Sequence, residues 1–204
     1  MAMTLYPAKD RSVSVWKNGK GTTREVVVFP RGADLENFGW RVSIAEIGQS
    51  GPFSNFPGID RLLAVLEGRL VLGIDGAAAS VLVPGSGPVA FAGDVPCMAD
   101  IQACHLARDL NVMTRRGQFS SRMTLVAADG PIPVLAEACA TLLVALCDLI
   151  LGIEGLAIRL QPLDAVCLDQ SMTDQFFCTS SGNRGEPGLY VIQLFAEQPH
   201  KRPA

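Results

Sequence analysis

Short apolar runs follow one another along the whole chain, and clusters of glycine, proline and aspartate separate them. The runs are rich in valine, isoleucine, leucine and phenylalanine, a composition typical of β-strands when turn residues flank it. No long stretch shows the period of an amphipathic helix. The pattern therefore predicts an all-β sandwich or barrel. The predicted strands lie in segments 25–30, 40–47, 61–76, 80–84, 87–93, 109–115, 123–128, 141–155, 156–162, 164–169 and 188–196.

Two of these stretches repeat each other. "LAVLEGRLVLGIDG" (63–76) matches "LLVALCDLILGIEG" (142–155) at an offset of 79 residues, and both end in a Gly-Ile-acid-Gly turn. A repeated hairpin predicts two barrels of common architecture in tandem. The identical pairs are Leu63/Leu142, Val65/Val144, Leu70/Leu149, Leu72/Leu151, Gly73/Gly152, Ile74/Ile153 and Gly76/Gly155.

The boundary between the two barrels is predicted near "AADGPIP" (127–133). Residues 1–127 then form an N-terminal barrel, which carries the polar candidate site residues. Residues 128–204 form a C-terminal barrel, which has a strong apolar pattern and serves as scaffold.

Composition and charge narrow the range of partners. The net charge is −3 and the pI is near 5.4. Without a basic block, these values argue against nucleic acid and anionic membranes, because phosphate binding needs clustered lysine and arginine. The six cysteines show no CxxC pair, and the N-terminus has no apolar signal-peptide core. Both features predict reduced thiols in a cytoplasmic protein.

The repeated unit, with its Glu-Gly, Asp-Gly and Pro-Gly turns between apolar strands, resembles the cupin barrel or jelly roll. Metal-binding cupins carry a His-x-His pair, a glutamate and a further histidine at set distances from the hairpin glycine, which is Gly68 here. Those positions hold Ser54 or Asn55, Phe56 or Pro57, Arg61 and Pro96. Because an arginine repels a cation, the resemblance implies a barrel with no metal, and no other cofactor is expected.

A narrower resemblance is to the HutD/Ves family. It rests on five motifs in order within the first 120 residues, and the family's usual third glycine is replaced by Lys20. The resemblance implies a cytoplasmic, metal-free bicupin that is associated with bacterial histidine utilisation. Such proteins are thought to bind a pathway intermediate, such as formylglutamate or urocanate, and to restrain the pathway. The motifs are "WKNGKGTTRE" (16–25), "WRVS" (40–43), "GPFSNFPGIDR" (51–61), "FAGDVP" (91–96) and "DLNVMTRRG" (109–117).

Arg61 is the first candidate for ligand contact. A guanidinium binds a carboxylate through two parallel hydrogen bonds and keeps its charge inside a pocket. The alternative is a structural ion pair with Asp60 or Asp94 that neutralises the rim of the barrel.

Three further candidates lie on predicted strands. Arg41 and Ser43 alternate with apolar residues, so they share one face of their strand. Asn111 shares a face with Asp109 and Met113, and its amide offers a donor and an acceptor to an amide or formyl group. Each face either lines the pocket or is the solvent-exposed face of an antiparallel sheet, and the sequence does not decide between these alternatives.

The remaining candidates lie in turns. Asn18, Thr23 and Glu25 come from a glycine-rich turn, where backbone N–H groups can approach a ligand closely. The alternative is a plain turn that closes the first barrel. Ser54 and Asp60, at the start of the first repeat, complete the predicted ligand-binding set.

The favoured function is binding of a small anionic metabolite, without catalytic residues. The alternative is a metal-independent isomerase or hydrolase acting on a small acidic amide, with Asp60, Glu25 or Asp94 as general base. A third function is protein interaction through exposed sheet edges. Cupins often pair, which leaves a homodimer open by analogy.

Overall fold

In the computed structural model, the structure describes residues 3–101, 105–153, 156–169, 176–180 and 186–197. Cys104 and the end of the second repeat copy, 154–155, lie outside the described residues. A short 3₁₀ turn spans Ala8–Asp10. The strands are β1 (Met3–Tyr6), β2 (Val13–Val15), β3 (Gly21–Phe29), β4 (Trp40–Ile47), β5 (Gly51–Pro52), β6 (Ile59–Glu67), β7 (Leu70–Ile74), β8 (Ser80–Leu82), β9 (Val89–Ala92), β10 (Cys97–Asp100), β11 (Ala107–Arg115), β12 (Phe119–Ala127), β13 (Gly130–Ile132), β14 (Ala140–Ala145), β15 (Leu149–Ile153), β16 (Leu156–Leu160), β17 (Ala165–Asp169), β18 (Phe176–Ser180) and β19 (Pro187–Ala196).

Every segment predicted as strand overlaps at least one strand, and the two long segments each contain two, β6 with β7 and β14 with β15. The predicted hairpins are wrong, because β6 and β7 lie in different sheets, as do β14 and β15. The pattern missed β1, β2, β5, β10, β13 and β18, which have five residues or fewer. Within the described ranges, no helix is long and apolar enough to cross a membrane.

The strands form four antiparallel sheets. Sheet I has the order β2-β3-β4-β11-β6-β9, and sheet II has the order β5-β10-β7-β8. Sheet III has the order β1-β17-β14-β19-β12, and sheet IV has the order β13-β18-β15-β16.

Three apolar cores show how these sheets are layered. Leu63 of sheet I and Leu72 of sheet II belong to the first core. Leu143 of sheet III and Leu151 of sheet IV belong to the second core. The central core joins Val42, Leu110 and Val112 of sheet I to Leu142 and Ile192 of sheet III. The layers therefore follow the order II–I–III–IV, and the two barrels pack back to back through sheets I and III.

The predicted repeat is confirmed by the topology. Sheet II and sheet IV have the same order, with β5, β10, β7 and β8 corresponding to β13, β18, β15 and β16. In the larger sheets, β9-β6-β11-β4 corresponds to β17-β14-β19-β12. The all-β class and the two cupin-like barrels are therefore confirmed.

The residue-by-residue alignment of the repeat is wrong by one position in β6 and β14. Leu63 and Val65 belong to the first core, whereas Leu142 and Val144 face the central core. The reason is a β-bulge in β6, where Arg108 lies opposite Glu67 and Asp109 lies opposite Val65. The extra residue reverses the alternation relative to β14, since successive side chains of a strand point to opposite faces.

Sheet membership does not follow the predicted boundary at residue 127. β1, at the start of the chain, pairs with β17 in sheet III. β12, which ends at Ala127, pairs with β19 in the same sheet. Both strands precede the boundary but extend the sheet of the later barrel. The division of the chain into domains at that residue stays a prediction.

Candidate functional site

A cavity of about 740 Å³ lies in the first barrel, between the inner face of sheet I and three covering segments. One segment runs through β2 to Asn18, the second lies at 33–35, and the third is the loop after β5. All the predicted ligand-binding residues except Asp60 line it. Its wall includes Ser14, Val15, Trp16, Lys17, Asn18, Thr23, Glu25, Ala33, Asp34, Leu35, Arg41, Ser43, Ala45, Pro52, Phe53, Ser54, Phe56, Arg61, Asp109, Asn111 and Met113.

Strand alternation places the polar groups in this cavity. In β11, Asp109, Asn111 and Met113 face the cavity, while Leu110 and Val112 between them lie in the central core. The same alternation holds for Arg41 and Ser43 in β4 and for Arg61 in β6. Sheet I therefore packs against the second barrel with one face and lines the cavity with the other.

Arg61 is 6% exposed and is enclosed by aromatic rings. Its guanidinium carbon lies 4.8 Å from the ring centroid of Phe91, 5.2 Å from that of Phe53 and 5.7 Å from that of Phe56. Its Nε donates a long hydrogen bond of 3.4 Å to Asn111 Oδ1. Arg61 takes part in none of the salt bridges formed within 4.0 Å among the described residues. The expected alternative, a pair with Asp60 or Asp94, is therefore wrong.

Asp109 is a site residue that the sequence analysis noted on the same face as Asn111 but did not select. It is 2% exposed, and its Oδ1 finds no hydrogen-bond partner in the described part of the chain. Burial raises the pKa of Asp109 to about 7, and the charge of Arg61 offsets part of this rise. Burial likewise lowers the pKa of the Arg61 guanidinium, and Asp109 opposes that effect. The sequence signal that could have identified Asp109 is an aspartate inside an apolar strand.

Arg41 and Glu25 form a pair at the edge of the cavity. Arg41 Nε donates to Glu25 Oε2 at 2.8 Å, and the side chains are 14% and 44% exposed. Both residues also line a smaller cavity of about 410 Å³ next to Arg11. Ser43, 2% exposed, lies deeper on the same strand as Arg41. Arg41 thus has a salt-bridge partner, whereas Arg61 has none within 4.0 Å among the described residues.

The turn candidates have structural partners as well as cavity positions. Thr23 Oγ1 accepts a hydrogen bond of 2.7 Å from Trp16 Nε1. Asn18 Oδ1 accepts one of 3.0 Å from the Lys20 backbone N–H, which shapes the turn. Ser54 is exposed in the loop beside Phe53. These residues form the outer wall, while Arg61, Asp109 and Asn111 form the buried one.

Asp60 lies outside the cavity, so its predicted place in the pocket is wrong. It follows Ile59 and precedes Arg61 on β6, and its side chain points away from the Arg61 face. Arg116 donates to Asp60 Oδ1 at 2.7 Å and to Asp94 Oδ2 at 2.8 Å. The charged rim predicted from the sequence exists, but Arg116 is its cation.

The model of the HutD family matches residues 8–184 of this chain. The chain belongs to the HutD family. Two relatives called Protein Ves are similar to it, from Citrobacter koseri with 36% identity over 122 residues and from Cronobacter sakazakii with 35% over 121 residues. Each match covers 59% of this chain, and it spans only 62% and 65% of the two relatives' length.

Two solved structures resemble this HutD-family chain over nearly its whole length. One is described as HutD from Pseudomonas fluorescens SBW25 in a formate condition, with 29% identity and a TM-score of 0.81. The other is a conserved protein of unknown function from Pseudomonas aeruginosa PAO1, with 28% identity and a TM-score of 0.81. Each match covers 97% of this chain and 100% of the other chain.

In the second barrel of the HutD-family chain, other side chains occupy the positions that correspond to the cavity wall of the first barrel. Arg61 lies opposite Met113, and the matching pair in sheet III is Thr141 opposite Gln193. Asn111 and Asp109 correspond in the same way to Val191 and Leu189, which pack in the second core. Thr141 and Gln193 are also buried and polar, but the charged residues Arg61 and Asp109 have no charged counterparts at these positions.

The positions where a metal-binding cupin would hold its ion carry other chemistry in this HutD-family chain. Arg61 occupies the position predicted for the glutamate, and Phe53, Phe56 and Phe91 surround it. Among the described residues, no group of three or more histidine, cysteine, aspartate and glutamate side chains is arranged to hold a metal ion.

Proposed function

We propose that this HutD-family protein binds a small carboxylate metabolite in the cavity of the first barrel. The observation that carries the proposal is the Arg61 guanidinium, which is buried in the cavity wall without an ion-pair partner among the described residues. A buried charge is unfavourable unless an opposite charge and hydrogen bonds compensate it. A ligand carboxylate supplies both through two parallel hydrogen bonds.

The surroundings of Arg61 suit an anion with an apolar or planar body. Phe53 and Phe56 lie on the cavity side of the guanidinium and restrict the access of water to it. An ion pair is stronger where water is excluded. Asn111 and Ser43 supply hydrogen-bonding groups for a second polar group of the ligand.

For the ligand we propose an intermediate of histidine utilisation, formylglutamate or urocanate. Membership of the HutD family supports this choice, and so do the paired arginine and amide groups of the cavity. Binding there senses the level of the intermediate and modulates the pathway. The cavity of about 740 Å³ has room for either molecule.

The test is a calorimetric and thermal-shift screen with formylglutamate, urocanate, glutamate, histidine and formiminoglutamate, with EDTA present. A ligand at 100 times its Kd is expected to add roughly 2.7 kcal/mol to stability. Arg61→Met keeps the length of the side chain but removes its charge. We expect it to weaken binding about 30-fold, since charge-assisted hydrogen bonds contribute about 2 kcal/mol.

The matched control is Arg116→Met, which removes a guanidinium from the rim outside the cavity. This variant is expected to bind as the wild type does. An affinity that Arg61→Met leaves unchanged would refute the assignment of Arg61. A folded wild type that binds none of the five compounds would refute the proposed ligand class.

The second candidate function is a metal-independent isomerase or hydrolase that acts on a small acidic amide. The observation in its favour is Asp109, a buried acid in the cavity wall with a pKa near the physiological range. Of the other acids considered, Asp60 and Asp94 bind Arg116 at the rim and Glu25 binds Arg41. Turnover of formylglutamate or formiminoglutamate with EDTA present, lost in Asp109→Asn, is expected if this function is correct. Stoichiometric binding without product would exclude it.

A further inference from the structure

We infer that Asp109 takes up a proton when a carboxylate binds at Arg61, so that the first barrel binds its anion and a proton together. This inference rests on the proposed binding function. It makes Asp109 the residue that sets the pH range in which the protein binds its ligand.

The two groups are neighbours on the inner face of sheet I. Arg61 lies opposite Met113, Asn111 is the next inward residue of β11, and Asp109 is the one after it. The Arg61 side chain reaches the Asn111 position, where Nε meets the amide oxygen. The charges of Arg61 and Asp109 are close enough for each to shift the pKa of the other. The β-bulge in β6 lies beside Asp109, between its pairing with Val65 and the pairing of Arg108 with Glu67.

The other charged and titratable groups near this pair are paired, neutral or exposed. From β4 and β3, Arg41 and Glu25 form a salt bridge, although the charge of Arg41 still lowers the pKa of Arg61. From β10, the thiol of Cys97 faces Arg61, and burial raises its pKa, so it is neutral near pH 7. Lys17 and Asp34 are exposed in the covering segments.

The coupling between carboxylate binding and proton uptake follows from the balance of charge in the buried wall. Without ligand, the buried wall holds one guanidinium and one acid, which balance when Asp109 is ionised. A bound carboxylate adds a second negative charge beside the same guanidinium. Two carboxylates at one buried site do not both stay ionised unless further cations compensate them, so a proton binds.

Asp109 has a place for that proton. Its Oδ1 is buried in the cavity wall, and none of the described residues forms a hydrogen bond with it. A protonated carboxyl is a hydrogen-bond donor, and a carboxylate oxygen of the ligand is the acceptor it needs. The ligand class that fits is therefore a small anion whose carboxylate meets both Arg61 and a neutral Asp109.

The direction of the pH dependence follows from the ligand-free state. Below about pH 7, Asp109 already carries its proton, and binding takes up none. Above that pH, Asp109 is ionised in the free protein and must be protonated in the complex. Affinity is then expected to fall by roughly tenfold for each pH unit above about 7, and binding takes up nearly one proton per ligand.

The experiment is titration calorimetry with formylglutamate, and with urocanate as second probe, in two buffers of different ionisation enthalpy at about pH 5.5 and about pH 8.5. The difference between buffers gives the number of protons taken up. We expect nearly one at the higher pH and almost none at the lower pH. Asp109→Asn is expected to take up none and to bind equally at both pH values. Asp75→Asn, at an exposed position outside the cavity, is expected to keep the wild-type profile.

Wild-type binding without proton uptake at the higher pH would overturn the inference and leave the proposed function standing. An Asp109→Asn variant with the wild-type pH profile would also overturn it. Failure of both probes to bind the folded wild type at either pH would overturn the inference and the proposed function together. The wild-type measurement decides even if the variant does not fold.

Discussion

Replacing Asp109 with asparagine is expected to change how the ligand-free protein's stability depends on pH. The pKa of Asp109 is about 7 in the folded protein and near 3.8 in the unfolded chain. Between these values the folded state binds more protons than the unfolded state. The wild-type free energy of unfolding therefore falls as the pH rises from about 4 to about 7. The asparagine side chain of the variant does not titrate, so this loss is absent there.

The size of the effect follows from the linkage. At about 1.36 kcal/mol for each pH unit, the stability difference between variant and wild type is expected to move in favour of the variant by on the order of 3 kcal/mol across this range. The attraction between ionised Asp109 and Arg61 is already contained in the folded-state pKa of Asp109, so it adds no separate contribution. Urea denaturation at a series of pH values measures the difference. Parallel curves for the two proteins would contradict the buried, ionisable environment of Asp109.

Asp75→Asn is the control, because Asp75 is exposed and lies outside the cavity. This variant is expected to stay close to the wild type in stability at every pH of the series, since substitutions at exposed positions usually change stability little. The comparison separates the burial of one carboxyl from the general effect of removing a negative charge.

The second large effect is expected from Gly68→Ala, in the turn between β6 and β7. Gly68 has a φ of +78°, which disfavours a side chain, and a Cβ there would overlap the backbone oxygen of Leu106. Backbone atoms cannot move away as a flexible side chain would. We expect a loss of about 3 kcal/mol or more, which combines the strained φ with the overlap. Thermal or urea unfolding measures it.

Gly76→Ala is a matched control for this variant. Gly76 has a φ of +77°, but a Cβ there would meet nothing within 4 Å. This substitution is expected to cost only the strain of the left-handed conformation, about 1–2 kcal/mol. Equal losses in the two variants would show that the approach of Leu106 to the turn contributes nothing.

Much of the fold could be predicted because strand alternation and the repeat are local patterns. The segment 40–47 matches β4 residue for residue, and the repeated stretch marks corresponding strands in both barrels. β5 and β2 were missed because two or three residues are too few to show alternation. The bulge in β6 could not be predicted, since it arises from pairing with β11 and leaves no mark in either segment alone.

The candidate site was predicted in its members more than in its energetics. Arg41, Ser43 and Asn111 were found because alternation places polar residues on one strand face. Asp60 was included because it adjoins Arg61, although neighbours in a strand point to opposite faces. Asp109 was not selected, because whether its carboxyl group has a hydrogen-bond partner depends on strands that are distant in sequence. Burial and missing hydrogen bonds are properties of the packed molecule, and no local pattern records them.

The two faces of β11 have different roles, so substitutions on the two faces are expected to have different effects. Leu110 and Val112 hold the barrels together in the central core, whereas Asn111 and Met113 face the cavity. Tolerance to substitution is therefore expected to alternate along the strand, with failures of folding at the first pair and changes of ligand preference at the second. Selection for a new metabolite can act on every other residue and leave the architecture intact.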